Sequence, residues 1–186
     1  NSLQPRPVPK FSKIRVVDCA AGKTHSLAVA DDGRIFSWGF GTACGHGNAT
    51  LNSNPQEINS LVNYNIVQCS AGAHISACLD DQGNAFAWGN NITRPHLIKN
   101  GLLANDKAAK VSCGEKHTFI LTQTGRLLGF GSNSSSQIHP KAPAFVDGLT
   151  ELYEVKCPVD GEIWKSVHSG LAQTVAVTNK DKVYIW

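Results

Sequence analysis

Ala20-Ala21-Gly22-Lys23-Thr24-His25-Ser26-Leu27-Ala28-Val29-Ala30-Asp31-Asp32-Gly33-Arg34-Ile35-Phe36-Ser37-Trp38-Gly39 aligns without a gap on a second stretch of the same chain, Ser70-Ala71-Gly72-Ala73-His74-Ile75-Ser76-Ala77-Cys78-Leu79-Asp80-Asp81-Gln82-Gly83-Asn84-Ala85-Phe86-Ala87-Trp88-Gly89. A third copy runs from Ser112 to Gly131 and a fourth from His168 to Trp186. Counted from the leading glycines Gly22, Gly72, Gly114 and Gly170, the fourth residue on is a hydroxyl every time: Ser26, Ser76, Thr118, Thr174. The eleventh is Gly33, Gly83, Gly125 and, in the last copy, Asp181; the sixteenth is Trp38, Trp88, Phe130 and Trp186. Self-similarity at a period of this size signals a repeat architecture and takes precedence over any local reading.

The leading glycines are 50, 42 and 56 residues apart, and the variation falls after the aromatic, where loops absorb insertions. Each copy carries a short apolar run: Leu27 to Val29, Ala77 to Leu79, Phe119 to Leu121 and Val175 to Val177. Runs this short between turn residues read as buried strands. The glycine at the eleventh position supplies the turn of a hairpin, whose second strand covers Arg34 to Trp38, Asn84 to Trp88 and Arg126 to Phe130. A further strand precedes each leading glycine, around Ile14 to Val17, Ile66 to Cys69, Ala109 to Val111 and Ile163 to Val167. A fourth is placed at Pro55 to Ile58, Pro95 to Ile98 and Pro143 to Val146. Four strands in roughly 50 residues is the size of one propeller blade, which must stack on neighbours to bury its faces. The fold expected is therefore all-β, a β-propeller of four-stranded antiparallel blades. About three and a half blades are present in one partial domain, 1–186, with repeats centred on 14–61, 64–103, 109–149 and 163–186.

Ala21-Gly22-Lys23-Thr24-His25-Ser26 and Cys113-Gly114-Glu115-Lys116-His117-Thr118, each followed by an apolar strand, resemble the start of the regulator of chromosome condensation repeat. That resemblance implies a seven-bladed β-propeller. The chain departs from the pattern in places. His is displaced to His74 in the second copy and is Gln173 in the fourth. The loop after the aromatic is preserved best in Gly131 to Ile138, altered in Cys44-Gly45-His46-Gly47, and nearly deleted after Trp88-Gly89. The Gly-Gly pair of kelch repeats and the Trp-Asp pair of WD repeats are both absent from the sequence. Under four blades of an expected seven imply a fragment of a larger propeller, or one completed by the remaining blades of the same or another chain.

Composition narrows function. The chain has 186 residues, 41% hydrophobic and 17% charged, with a net charge of +3. That charge is too weak and scattered for a nucleic-acid stripe; the one basic grouping, Arg6, Lys10, Lys13 and Arg15, reads as a solvated connector. No run approaches the ~18 apolar residues of a membrane span, and Asn1 to Lys13 lacks the apolar core of a signal peptide. The six cysteines form no C-x-x-C pair, which favours buried free thiols over disulfides or zinc. The expected setting is intracellular, cytoplasm or nucleus. Asn48-Ala49-Thr50, Asn91-Ile92-Thr93 and Asn133-Ser134-Ser135 fit the glycosylation pattern, which matters only on secretion.

His25 and His117 recur at one offset, as structural hydrogen-bond partners do and a single catalytic site does not. The glycine-rich stretch Gly39 to Gly45 is not followed by a helical pattern, so it does not read as a phosphate cradle. Neither a catalytic constellation nor a cofactor or metal site is expected. The reading favoured is a scaffold whose rim loops present His46, Asn48, Arg94, His96, His139 and Lys141 to a protein partner. The family's founding member implies an alternative, guanine nucleotide exchange on a small GTPase, but the wedge and acidic contacts that activity calls for cannot be placed. The longest insertion, Pro140 to Ile163, is not plainly hairpin-like. Ultraviolet sensing, as in the family's plant photoreceptor, calls for tryptophans clustered on one face, whereas Trp38, Trp88 and Trp186 are repeat aromatics.

Overall fold

The computed structural model describes residues 4–148 and 151–186. Asn1, where the N-terminal stretch begins, and residue 149, where the third repeat ends, lie outside them. The described strands form four antiparallel sheets. Blade one holds β1 (Val16–Ala21), β2 (His25–Ala30), β3 (Ile35–Gly39) and β4 (Asn52–Glu57). Blade two holds β5 (Ile66–Ala71), β6 (Ile75–Asp80), β7 (Ala85–Gly89) and β8 (Ile92–Leu97). In blade three, β9 (Ala108–Cys113), β10 (His117–Thr122) and β11 (Leu127–Ser132) are followed by two short strands, β12 (Phe145–Val146) and β13 (Tyr153–Val155), that share the outer position. Blade four shows β14 (Trp164–Ser169), β15 (Thr174–Thr178) and β16 (Val183–Ile185). Strands pair in chain order, so each blade is a meander with the innermost strand first.

The repeated residues account for the geometry. Gly33, Gly83 and Gly125 turn the hairpins at φ of 82, 75 and 84°, and Asp181 takes the same left-handed place at 58°; Asp is among the few side chains that tolerate that region. Every first strand carries a register shift near its start, skipping Val17, Val67, Ala109 and Lys165. These bulges increase local twist. The leading glycine is demanded by the next blade: a Cβ on Gly22 would collide with the carbonyl oxygen of Gly72, and one on Gly72 with that of Gly114.

First strands of successive blades are stitched by side chains. The Cys69 N–H donates to Asp18 Oδ2 (2.8 Å), Val111 N–H to Gln68 Oε1 (3.0 Å), Cys113 N–H to Ser70 Oγ (2.9 Å) and Ser169 N–H to Ser112 Oγ (2.8 Å). Backbone donors that would otherwise lie unpaired beside the axis are thereby satisfied. Packing between sheets supplies the core. Leu27, Ile35, Ile66 and Trp88 join blades one and two, while Ile75, Phe119, Leu128, Ile138 and Trp164 join two, three and four.

Two expectations are refined. The fourth strand of blade three, placed at Pro143 to Val146, is split. Phe145–Val146 pairs with Ser132 and Gly131, and after an interruption Tyr153–Val155 pairs with Gly129 to Leu127, so part of the long insertion returns to the sheet. All six cysteines are free, yet only Cys44, Cys69, Cys78 and Cys113 are buried; Cys157 is half-buried and Cys19 exposed. Cys19 and Cys69 share one offset. Cys69 is covered by blade one, whereas the matching face of β1 has no blade against it among the described residues.

Candidate functional site

Because strand direction alternates, the turns after the leading glycines and the loops after the third strands emerge at one end of the blades. The Phe40 N–H donates to Thr24 O, Asn90 N–H to His74 O and Ser132 N–H to Lys116 O, each at 2.8 Å, and binds the two sets into a rim. Rim loops on a rigid scaffold are where binding residues concentrate.

The loop after β3 reaches forward into the next blade. Ser76 Oγ donates to Ala43 O (2.8 Å), and Trp88 Nε1 donates to the same carbonyl (2.7 Å). With its proton so committed, Ser76 Oγ accepts from His25 Nε2 at 2.7 Å, which fixes the Nε2–H tautomer. The arrangement recurs between blades three and four: Thr174 Oγ1 donates to Gln137 O (2.8 Å) and accepts from His117 Nε2 (3.2 Å), while Trp186 Nε1 donates to Ile138 O (2.8 Å). Three repeat positions, the His, the hydroxyl and the Trp, thus form one clasp around a plug of loop backbone. Both His Nδ1 atoms are buried without a hydrogen-bond partner. An imidazolium would bury an N–H there with no acceptor, and burial holds both pKa values down at about 4, with His74 adding a repulsive charge at His25.

The residues expected on the rim fall in groups. His46 is half-buried; its Nε2 lies 2.8 Å from Ser37 Oγ, whose proton goes to Cys44 O (2.6 Å), so His46 donates and fastens the loop. Burial lowers its pKa. Arg94, exposed on β8, lies over Gly47 and joins His46 in lining a cavity of about 160 Å³. His96 is exposed two residues along the same strand, on the same face and opposite Ala87, so Arg94 and His96 stand on the outer strand of blade two below the rim and not, as expected, on a rim loop. Asn48, exposed, accepts from Thr50 N and Oγ1 and closes a local turn. His139 and Lys141 form a second group on the loop of blade three. The His139 ring stacks on Tyr153 (5.5 Å, 24°), its Nδ1 lies 3.1 Å from Lys141 N, and Lys141 is exposed.

The residues that shape these loops are Ser37 and Thr42, to which sequence reading gave no role, and Asn133, which it noted only as a glycosylation pattern. Thr42 Oγ1 donates to Asn90 O (2.7 Å), tying the rims of blades one and two. Asn133 accepts from Ile138 and His139 N–H and donates to His139 and Ala142 carbonyls, so one side chain organises the whole loop. A lone polar residue after Gly131 carries no periodic signal that would have revealed this. Trp164 and Trp186 lie 5.9 Å apart, but both indoles donate to backbone carbonyls, Val155 O and Ile138 O, as packing residues do. The described residues contain no group of three or more metal-ligating side chains, and no helix among them is long and apolar enough to cross a membrane.

This architecture has clear relatives. The regulator of chromosome condensation (RCC1) repeat matches residues 32–79, and a second form of it matches 16–45 and 108–137. The ultraviolet-B receptor UVR8 of Arabidopsis thaliana is 26% identical over all of this chain and 44% of its own length. The probable E3 ubiquitin-protein ligase HERC6 of Homo sapiens is 30% identical over 74% of this chain and 15% of its own. Among solved structures, human WBSCR16 superposes with a TM-score of 0.80 at 21% identity, covering 94% of this chain and 48% of that one. Prp20p of Saccharomyces cerevisiae, characterised for its binding to Gsp1p and histones, superposes at 0.74 and 22% identity, covering 91% and 43%. The chain thus spans less than half the length of these relatives, and the likeness to the two structures is one of fold. On its repeat, its blades and these matches, the chain belongs to the regulator of chromosome condensation repeat family.

Proposed function

We propose that these blades serve as a protein-interaction scaffold, part of a larger propeller, whose rim and adjoining outer strand offer Arg94, His96, Asn48 and the His46 loop on one side and His139 and Lys141 on the other. What carries the reading is the division of labour within each repeat. Hairpins and leading glycines keep one geometry, while the loops after the third strands differ in length and in exposed side chains. Variable loops on a fixed frame are suited to recognition.

The test is cross-linking and co-purification with the full-length protein against a variant carrying Asn48→Ala, Arg94→Ala, His96→Ala and Lys141→Ala. A partner that is lost with the exposed side chains while the melting temperature holds supports the scaffold; an unchanged partner set refutes this rim as the surface. Guanine nucleotide exchange on a small GTPase is the second reading. It rests on the family's founding activity and on the fold shared with Prp20p, a protein that binds Gsp1p. Acceleration of labelled-nucleotide release from a GTPase by the full-length protein would establish it in place of a scaffold-only role.

A further inference from the structure

The joint between blades two and three lacks the plug that its two neighbours contain. After Trp88-Gly89 the chain turns back within Asn90 and Asn91 into β8, so nothing from this loop enters the next blade. The clasp that would receive it is dismantled as well. Ile75 stands at the His position, and Phe130, whose ring has no N–H, stands at the Trp position. Thr118, fully buried, has its hydroxyl 3.6 Å from Cys113 Sγ instead of on a loop carbonyl. All three polar groups of the clasp are removed or diverted together.

What remains is a cavity of about 180 Å³ that opens on the rim, with Ile75, Trp88, Ile92, Phe130 and Phe145 in its wall. It is continuous with the inter-blade interface, at the place where Ala43 and Cys44 lie 3% and 1% exposed in the first joint and Ile138 0% exposed in the third. Phe145 stands at its edge, 66% exposed. An apolar cavity of ~150 Å³ takes a single benzene, so the volume suits one large side chain and falls short of a cofactor-sized site. The polar side chains in its lining are Asn90, Asn91, Lys116 and Asp147, and the Trp88 indole N–H is committed to Ala43 O, so an occupant is recognised against the ring and aliphatic wall by apolar shape.

We propose that this joint is a second binding site, which accepts a partner protein's peptide segment through one inserted Leu, Ile or Phe side chain and so supplies from outside the plug that the flanking joints carry in their own loops. The two internal plugs set the form of the occupant, a short backbone turn crossing the rim that buries apolar side chains, Ala43 and Cys44 in one joint and Ile138 in the other. The cavity of about 180 Å³ has room for one large side chain in their place. The site stands apart from the charged residues proposed above, so either can fail alone.

The experiment selects a random displayed peptide library on the full-length protein and measures affinity by fluorescence polarisation. Ile92→Trp fills the mouth of the cavity, and Phe145→Ser removes its exposed edge without touching the core; melting curves confirm that each variant folds. The expected result is a set of peptides sharing one Leu, Ile or Phe. Affinity should fall at least tenfold on replacing that residue with Ala, on Phe145→Ser and on Ile92→Trp, and stay within twofold on Arg94→Ala. Peptides without a shared apolar residue, or binding indifferent to both cavity variants, overturn the proposal. So do self-association abolished by Ile92→Trp in sedimentation, which would make a second copy the occupant, and binding of toluene with no peptide selected, which would make the cavity a small-ligand site.

Discussion

The joint between blades one and two and the joint between blades two and three are built from the same offsets of one repeat, yet at the rim the first is closed by four polar atoms and the second by apolar contact. In the first, Ser76 and Trp88 donate to the Ala43 carbonyl and His25 donates to Ser76 Oγ. In the second, the corresponding Ile75, Thr118 and Phe130 have no carbonyl to hold. A donor without an acceptor in a dry site costs more than a missing pair, so loss of the loop and loss of the donors belong together.

The largest test concerns what both joints share. Gly72→Ala drives a Cβ into the Gly114 carbonyl and should destabilise by about 3 kcal/mol or more, whereas Gly101→Ala, with open space around it, should stay within about 0.5 kcal/mol; thermal melts compare the two. A near-neutral Gly72→Ala would mean the blades are not in backbone contact at this joint.

Acid should come next, and its largest effect through histidine should pass through the clasped joints. His25 and His117 have folded pKa values of about 4 against an ordinary 6.5. Above 6.5 both states are neutral and pH has no effect through them. Below it the unfolded chain takes up the protons first, so stability falls toward pH 4 by up to about 1.4 kcal/mol per pH unit for each histidine. His117→Gln, which borrows the residue found at Gln173, should flatten the urea-derived pH slope by one proton. An unchanged slope would show that His117 titrates normally.

Exchanging the aromatics should fail in both directions. Trp88→Phe deprives the Ala43 carbonyl of its indole donor, and Phe130→Trp buries an N–H with no acceptor, each costing about 1–3 kcal/mol. The smallest difference separates the hydroxyls: Ser76→Ala should cost about 1–2 kcal/mol and Thr118→Val less than about 1 kcal/mol, by chemical denaturation. Equal costs would erase the contrast between the joints.

Most of the frame was legible because glycines, hydroxyls and aromatics recur at fixed offsets, and each offset proves to have a local cause: Gly33 a left-handed turn, Gly72 a close approach, Ser76 and Trp88 one shared carbonyl. The structural role expected of His25 and His117 is what they perform. Less legible was everything set by a neighbour without its own period. Tyr153–Val155 rejoins a sheet after an interruption that no alternation announces, Asn133 holds its loop through four bonds from a single position, and Cys19 differs from Cys69 only in what lies beside it. Of the rim, His46 was picked as a contact and turns out to spend its ring on Ser37.

The forward reach of each long loop means that a blade is roofed by the one that precedes it, like overlapping tiles, and among the described residues the tiling is interrupted once. In a quasi-one-dimensional array, cooperativity propagates through nearest-neighbour terms, so the interruption after Gly89 should divide the stack into two cooperative halves, residues up to about Leu97 and those from Ala108 onward. Native-state hydrogen exchange would then show two opening units with their seam at Thr118, and a peptide lodged at that seam would merge them into one.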